Sequence, residues 1–174
     1  MGLDFSIEIR IKDKKTKEIT SLEAAYWRKC YGIRDEIMDA ALHSNLILKY
    51  DEDYYLRVKA EAIEAINDRL IQTLSDKEVL EQSIWGYFST RRQTLLNLEL
   101  LFEWENFIYE FLDAKRCGEV VEMDSDNRDL CGHLSKSIEH MNAAYSAHFD
   151  VDLPRKVFED PSNYKVSIEI NNSY

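Results

Sequence analysis

LDFSIEIRIK, residues 3–12, and YKVSIEIN, residues 164–171, decide the fold. Leu3, Phe5, Ile7, Ile9 and Ile11 alternate with Asp4, Ser6, Glu8, Arg10 and Lys12. At the far end Tyr164, Val166, Ile168 and Ile170 alternate with Lys165, Ser167, Glu169 and Asn171. A period of two over this length marks a strand with one wet face and one buried face. Both wet faces carry mixed charge, so the two strands suit pairing across an antiparallel ladder. Two strands alone are only marginally stable, so their apolar face needs helices to cover it. A third short strand is expected at Glu119–Met123.

Between the ends the periodicity reads as helical. Thr20 and Glu23 have capping-box spacing, and Leu22, Tyr26, Cys30, Ile33, Ile37 and Ala41 follow at intervals near 3.6. A second helix is expected from about Asp53 to Leu74, with Tyr55, Val58, Ala62, Ile66 and Leu70 inward. Ser75 and Glu78 form another box, continued by Val79, Leu80, Ile84, Trp85 and Phe88, and Thr90 with Gln93 offers a fresh start. From Leu95 to Leu112 apolar residues occur nearly all round, predicting a deeply buried helix that stops at Lys115, Arg116 and Gly118. A last helix is expected over about Asn127–Phe149, and Pro154 and Pro161 punctuate a loop to the final strand. The fold class is therefore α+β and mainly helical. Four or five helices pack on a small antiparallel sheet formed by the N- and C-terminal strands, in a single domain over residues 1–174.

Composition narrows the functional classes. Hydrophobic residues make up 45% and charged residues 32% of the 174, as in a folded chain that can bury a core. No stretch approaches the ~20 apolar residues of a membrane span, and MGLDFSIEIR lacks the apolar core of a signal peptide. Cys30, Cys117 and Cys131, odd in number and widely spaced, suit reduced thiols in a cytoplasm. The net charge is −11, with residues 1–35 at +2 and the remainder at −13. Direct nucleic-acid binding needs a basic footprint and is disfavoured. An acidic mimic of DNA is a third functional reading, although acidity more simply serves solubility.

AAYWRKCYGIRDEIM, residues 24–38, gathers aromatic and basic side chains in this acidic chain. Trp27, Tyr31, Arg34 and Met38 form a second stripe on the expected helix. Such a stripe packs against a neighbouring element, with the Arg34 stem reaching water, or it lines a pocket. In the pocket reading Trp27, Arg28, Tyr31 and Arg34 hold a planar anion, and Arg91 and Arg92 contribute from a second element.

MGLDFSIEIR, AYWRKCYGIRDEI and the closing NNSY together resemble a family of small phage, prophage and bacterial proteins. Its members open MGLDMYL, carry a YWRKAN-like helix and end on a short aromatic-tipped strand. The likeness is specific at Met1–Asp4 and Tyr26–Lys29 and covers about the first forty residues and the last ten. It departs at Cys30, Tyr31 and Gly32, where Ala-Asn is usual, and at Arg34, near a position often held by His. The family has no established activity, so the resemblance implies a setting of mobile genetic elements, with host takeover or anti-defence as expected roles, and no catalytic residue.

Other candidate chemistry is thin. His133, His140 and His148 are seven and eight residues apart. Two histidines sharing a metal from one helix stand four apart, and seven residues rise about 10.5 Å. Asp124, Asp126 and Asp129 lack the glycine and closing glutamate of a calcium loop and suit a helix cap. No phosphate-binding glycine loop, nucleophile elbow or C-x-x-C is present. The balance is against an enzyme, and neither a metal nor a cofactor is expected. The leading expectation is an accessory protein that binds another protein, with a homodimer as one form. The alternative is a small enzyme or ligand-binding protein with an anion site on the Trp27–Arg34 helix.

Overall fold

The computed structural model describes residues 4–76 and 87–173. Its elements run β1 (Asp4–Asp13), β2 (Ile19–Arg28), α1 (Tyr31–His43), β3 (Ile47–Asp51), β4 (Tyr55–Lys59), α2 (Ile63–Ser75), α3 (Tyr87–Cys117), α4 (Ser125–Tyr145), α5 (Leu153–Glu159) and β5 (Tyr164–Ser173). Helices pack on a five-stranded antiparallel sheet that contains both terminal strands, as the α+β reading requires. The strand order is β2-β1-β5-β4-β3. β1 and β5 are neighbours, and the Lys14 N–H donates to the Asn163 carbonyl at 2.8 Å, so the end of β1 meets the start of β5. Phe5, Ile7, Ile9 and Ile11 are at most 2% exposed, and the residues between them are half-buried.

Sequence expectations are corrected in three parts of the chain. Residues 19–28 are strand, not helix. The Thr20/Glu23 spacing is incidental, because Asp13–Glu18 forms a tight turn that folds β2 back on β1. Asp13 Oδ1 accepts the amides of Lys15 (2.7 Å) and Thr16 (3.0 Å), Lys17 takes φ 67°, and the Asp13 N–H reaches the Glu18 carbonyl at 2.9 Å. Burial along β2 changes parity at Ala24–Ala25, both buried, which turns a two-residue period into an apparent helical one. α1 begins only at Tyr31, after Lys29 turns the chain at φ 56°.

The expected helix from Asp53 is the second correction. Residues 47–59 form the β3–β4 hairpin, and the helix starts at Ile63. Asp51 Oδ1 accepts the Asp53 N–H at 3.2 Å in the connecting turn. The third concerns the chain's second half. Val121 bonds the Phe158 carbonyl from its N–H at 3.1 Å, without forming a strand. Pro154 lies in the first turn of α5, where a missing N–H costs nothing. α3 is not buried all round, since Leu95, Leu96, Phe102 and Tyr109 are 38–53% exposed. The helical reading of Val79, Leu80, Ile84 and Trp85 lies outside the described residues, as does Leu3.

The chain forms two compact units: Met1–Ile9, Glu23–Phe102 and Ser167–Tyr174 make one, Arg10–Leu22 and Glu103–Val166 the other. In the first, Phe5 stacks on Trp27 (5.0 Å between centroids, 10° between planes), and Arg69 on α2 ties to Glu36 and Asp39 on α1. In the second, Phe107 stacks on Phe158 at 4.7 Å and meets Trp104 edge-on at 5.4 Å. Leu134, Ile138 and Val157 are fully buried in that unit.

Candidate functional site

The aromatic-basic stretch splits across the turn at Lys29. Trp27 belongs to β2 and is 0% exposed; its Nε1 donates to Thr94 Oγ1 at 3.2 Å, and Thr94 donates onward to the Thr90 carbonyl at 2.8 Å. A ring so enclosed is core and offers no face to a ligand. Arg28 is exposed at the end of β2, and Tyr31 opens α1 at 36% exposure. The Arg34 guanidinium is engaged: Nε donates to Asn172 Oδ1 at 3.1 Å and Nη1 to Asp35 Oδ1 at 2.9 Å. Arg91 and Arg92 are exposed in the first turns of α3. The six residues thus come from one strand and two helices, with Trp27 sealed away.

The second unit holds a cavity of about 290 Å³ lined by Asp13, Glu18, His148, Asp150, Lys156 and Tyr164 among others, and by none of those six. Three of its charged groups, Asp13, Asp150 and Lys156, already have partners. Lys156 Nζ donates to Asp150 Oδ2, which holds that carboxyl below its usual range. The Thr16 amide, with further help from Asn163 and Lys15, does the same for Asp13. Burial pushes the Tyr164 phenol upward. Two carboxylates already satisfied by amide and ammonium donors are poor general bases. The lining ties a turn, a loop and α5 together.

His133, Asp124 and Cys131 have local structural roles. His133 Nδ1 lies 3.3 Å from Glu103 Oε1 on the neighbouring helix. Asp124 caps α4 by accepting the Asn127 N–H at 2.9 Å. Cys131 is buried, and desolvation raises its thiol to about 11, far from a reactive thiolate. Among the described residues no three His, Cys, Asp or Glu side chains gather where they could hold an ion.

Among the described residues the two edges of the sheet differ in what covers them. β2 and β3 are the two edge strands. At β2, Asn97 of α3 bonds both backbone groups of Tyr26, Nδ2 to the carbonyl at 2.8 Å and Oδ1 from the N–H at 3.4 Å, as a paired strand does. At β3 all five residues, ILKYD, are exposed. Ile47 stands opposite Val58 and Tyr50 opposite Leu56 in the ladder. Cross-strand partners share a face, and Val58 and Leu56 are 0% exposed. Ile47 and Tyr50 therefore extend the sheet's apolar face, yet remain 43% and 46% exposed. Leu48 (53%) and Tyr54 (62%) add to the same hairpin. An edge strand with exposed apolar side chains presents both ladder hydrogen bonds and pockets to an incoming chain. Periodicity concealed it, because a strand exposed throughout has no apolar alternation. The available signal was the polar DED turn between tyrosine-rich flanks. Comparison with protein-family models, with curated proteins and with solved structures finds no match.

Proposed function

We propose that this chain is an accessory protein of phage or mobile-element type that works by binding another protein chain through the β3 edge. The observation that carries the reading is the pairing of Ile47 and Tyr50 with core residues while they themselves stay exposed at an edge strand. The mobile-element setting rests on the resemblance at Met1–Asp4 and Tyr26–Lys29, and host takeover or anti-defence are the roles that setting favours. An anion site built from Trp27 and Arg34 loses support, since the indole is enclosed and the guanidinium already has Asn172 and Asp35.

Site-specific photo-cross-linking tests the docking edge. A photoreactive residue replacing Ile47 is expected to give protein adducts in cells, and the same residue replacing Arg92 is not. Adducts at position 92 without any at 47 would overturn the reading.

A further inference from the structure

We infer that the chain seated on β3 is a second copy of this protein, paired antiparallel with Tyr50 on the two-fold axis; this rests on β3 being a docking edge. The apolar face that Ile47 and Tyr50 extend must continue onto whatever strand joins it. For two identical strands that requirement fixes the symmetry. A dyad lying in the sheet plane turns one apolar face over, whereas a dyad perpendicular to the sheet keeps both on one side. Side-chain direction alternates with every residue, so a perpendicular dyad passes through a residue, never between two.

Few residues of β3 can occupy the axis. Leu48 falls at the register shift between Ile47 and Lys49. Lys49 on the axis meets itself, and so does Asp51, and like charges directly opposite are destabilising. With Tyr50 on the axis, Lys49 of each copy faces Asp51 of the other, the two tyrosines pair, and Leu48 meets Glu52 at the margin.

A second feature asks for the same partner. On the polar face Glu169 stands opposite Arg57 and Arg57 opposite Lys49. Arg57 is neutralised by Glu169 at 2.7 Å, which leaves Lys49 at the end of the row beside another cation. Lys49 Nζ lies 5.2 Å from the centre of the Tyr55 ring, held over that face. Asp51 of a second copy, placed by the Tyr50 dyad, completes the row with the missing negative charge, and symmetry does so twice.

Sedimentation and light scattering across concentration test this. Wild type is expected to associate reversibly as a dimer. Lys49→Asp and Asp51→Lys, each with unchanged circular dichroism, should each weaken it about tenfold or more, as two opposite-charge contacts become like-charge ones. Mixing the two single variants should restore association, since each then supplies the charges the other lacks. A wild type that stays monomeric into the millimolar range, or a dimer indifferent to both substitutions, overturns the inference. If the monomer nonetheless forms cross-links at Ile47 to a different protein, only the second copy is excluded and the docking edge stands. If Ile47 gives no cross-link either, both fall.

Discussion

Asn97 grips Tyr26 by both backbone groups, so a helix side chain does at β2 what a further strand would do. The amide is 8% exposed, and few waters could replace it. Asn97→Ala leaves an N–H and a carbonyl without their partner, which costs about 1–3 kcal/mol. Urea unfolding should show the unfolding free energy falling by that much, with a correspondingly lower midpoint. An unchanged midpoint would mean that water closes this edge as well as asparagine does.

Trp27 and Thr94 extend the same seam. Trp27→Ala removes a fully buried indole and should cost about 3–5 kcal/mol. Thr94→Val keeps the volume but strands the indole N–H, for about 1–3 kcal/mol. Equilibrium denaturation measures both. If Trp27→Ala were neutral for stability yet abolished partner binding, the indole would be a ligand contact after all.

Tyr26 gives the molecule an alkaline limit. Its hydroxyl donates to Asp4 Oδ2 at 2.7 Å, and burial, with the Asp4 bond and charge added, raises its pKa to about 12. A raised phenol favours the protonated native state. The contribution is fully present below the unfolded value of about 10 and is lost as pH climbs toward the folded one. Stability should therefore fall between those values, and Tyr26→Phe should flatten that limb. A variant with the wild-type alkaline slope would assign the limb to other groups.

Arg69 bridges α2 to α1, with Nη1 2.8 Å from Glu36 and 3.0 Å from Asp39. The three side chains are 29%, 35% and 49% exposed, so solvent screens the cluster and its worth is about 1 kcal/mol or less. Arg69→Met keeps most of the stem's packing and removes the charge. Its deficit should shrink as salt rises from low to molar concentration, where the screening length falls to about 3 Å. A deficit independent of salt would make the stem, not the charge, the stabilising part.

Which elements could be read from the chain alone follows from how they are buried. β1 and β5 were legible because strongly apolar residues fill most inward positions, and Phe5, Ile7, Ile9, Ile168 and Ile170 are all essentially buried. β2 was not, because Ala24 and Ala25 are both buried and break the alternation where small residues allow it. β3 left no apolar alternation, since all its positions are exposed, and the helical pattern beginning at Ile63 extends backwards over β4 in the sequence. Of the candidate site, the chemistry of Trp27 and Tyr31 is visible in the sequence, but only the fold puts one in the core and the other on a new helix. The edge at Ile47 and Tyr50 is a property of strand order, which no local pattern encodes.

Two glycines test the backbone reading with one substitution of opposite sign. Gly118 ends α3 at φ +70°, and a Cβ built there meets nothing within 4 Å, so any cost of Gly118→Ala comes from the left-handed backbone alone. That cost is about 1–2 kcal/mol, with asparagine milder because it tolerates this conformation. Gly132 lies within α4, exposed, and a Cβ there also meets nothing within 4 Å. Its φ is not left-handed, so alanine there only removes freedom from the unfolded chain and improves helix propensity. Gly132→Ala should stabilise by about 0.5–1 kcal/mol. Thermal or urea unfolding of the two alanine variants should move in opposite directions from wild type. Movement in the same direction would mean that α3 does not stop at Gly118, or that α4 does not run unbroken through Gly132.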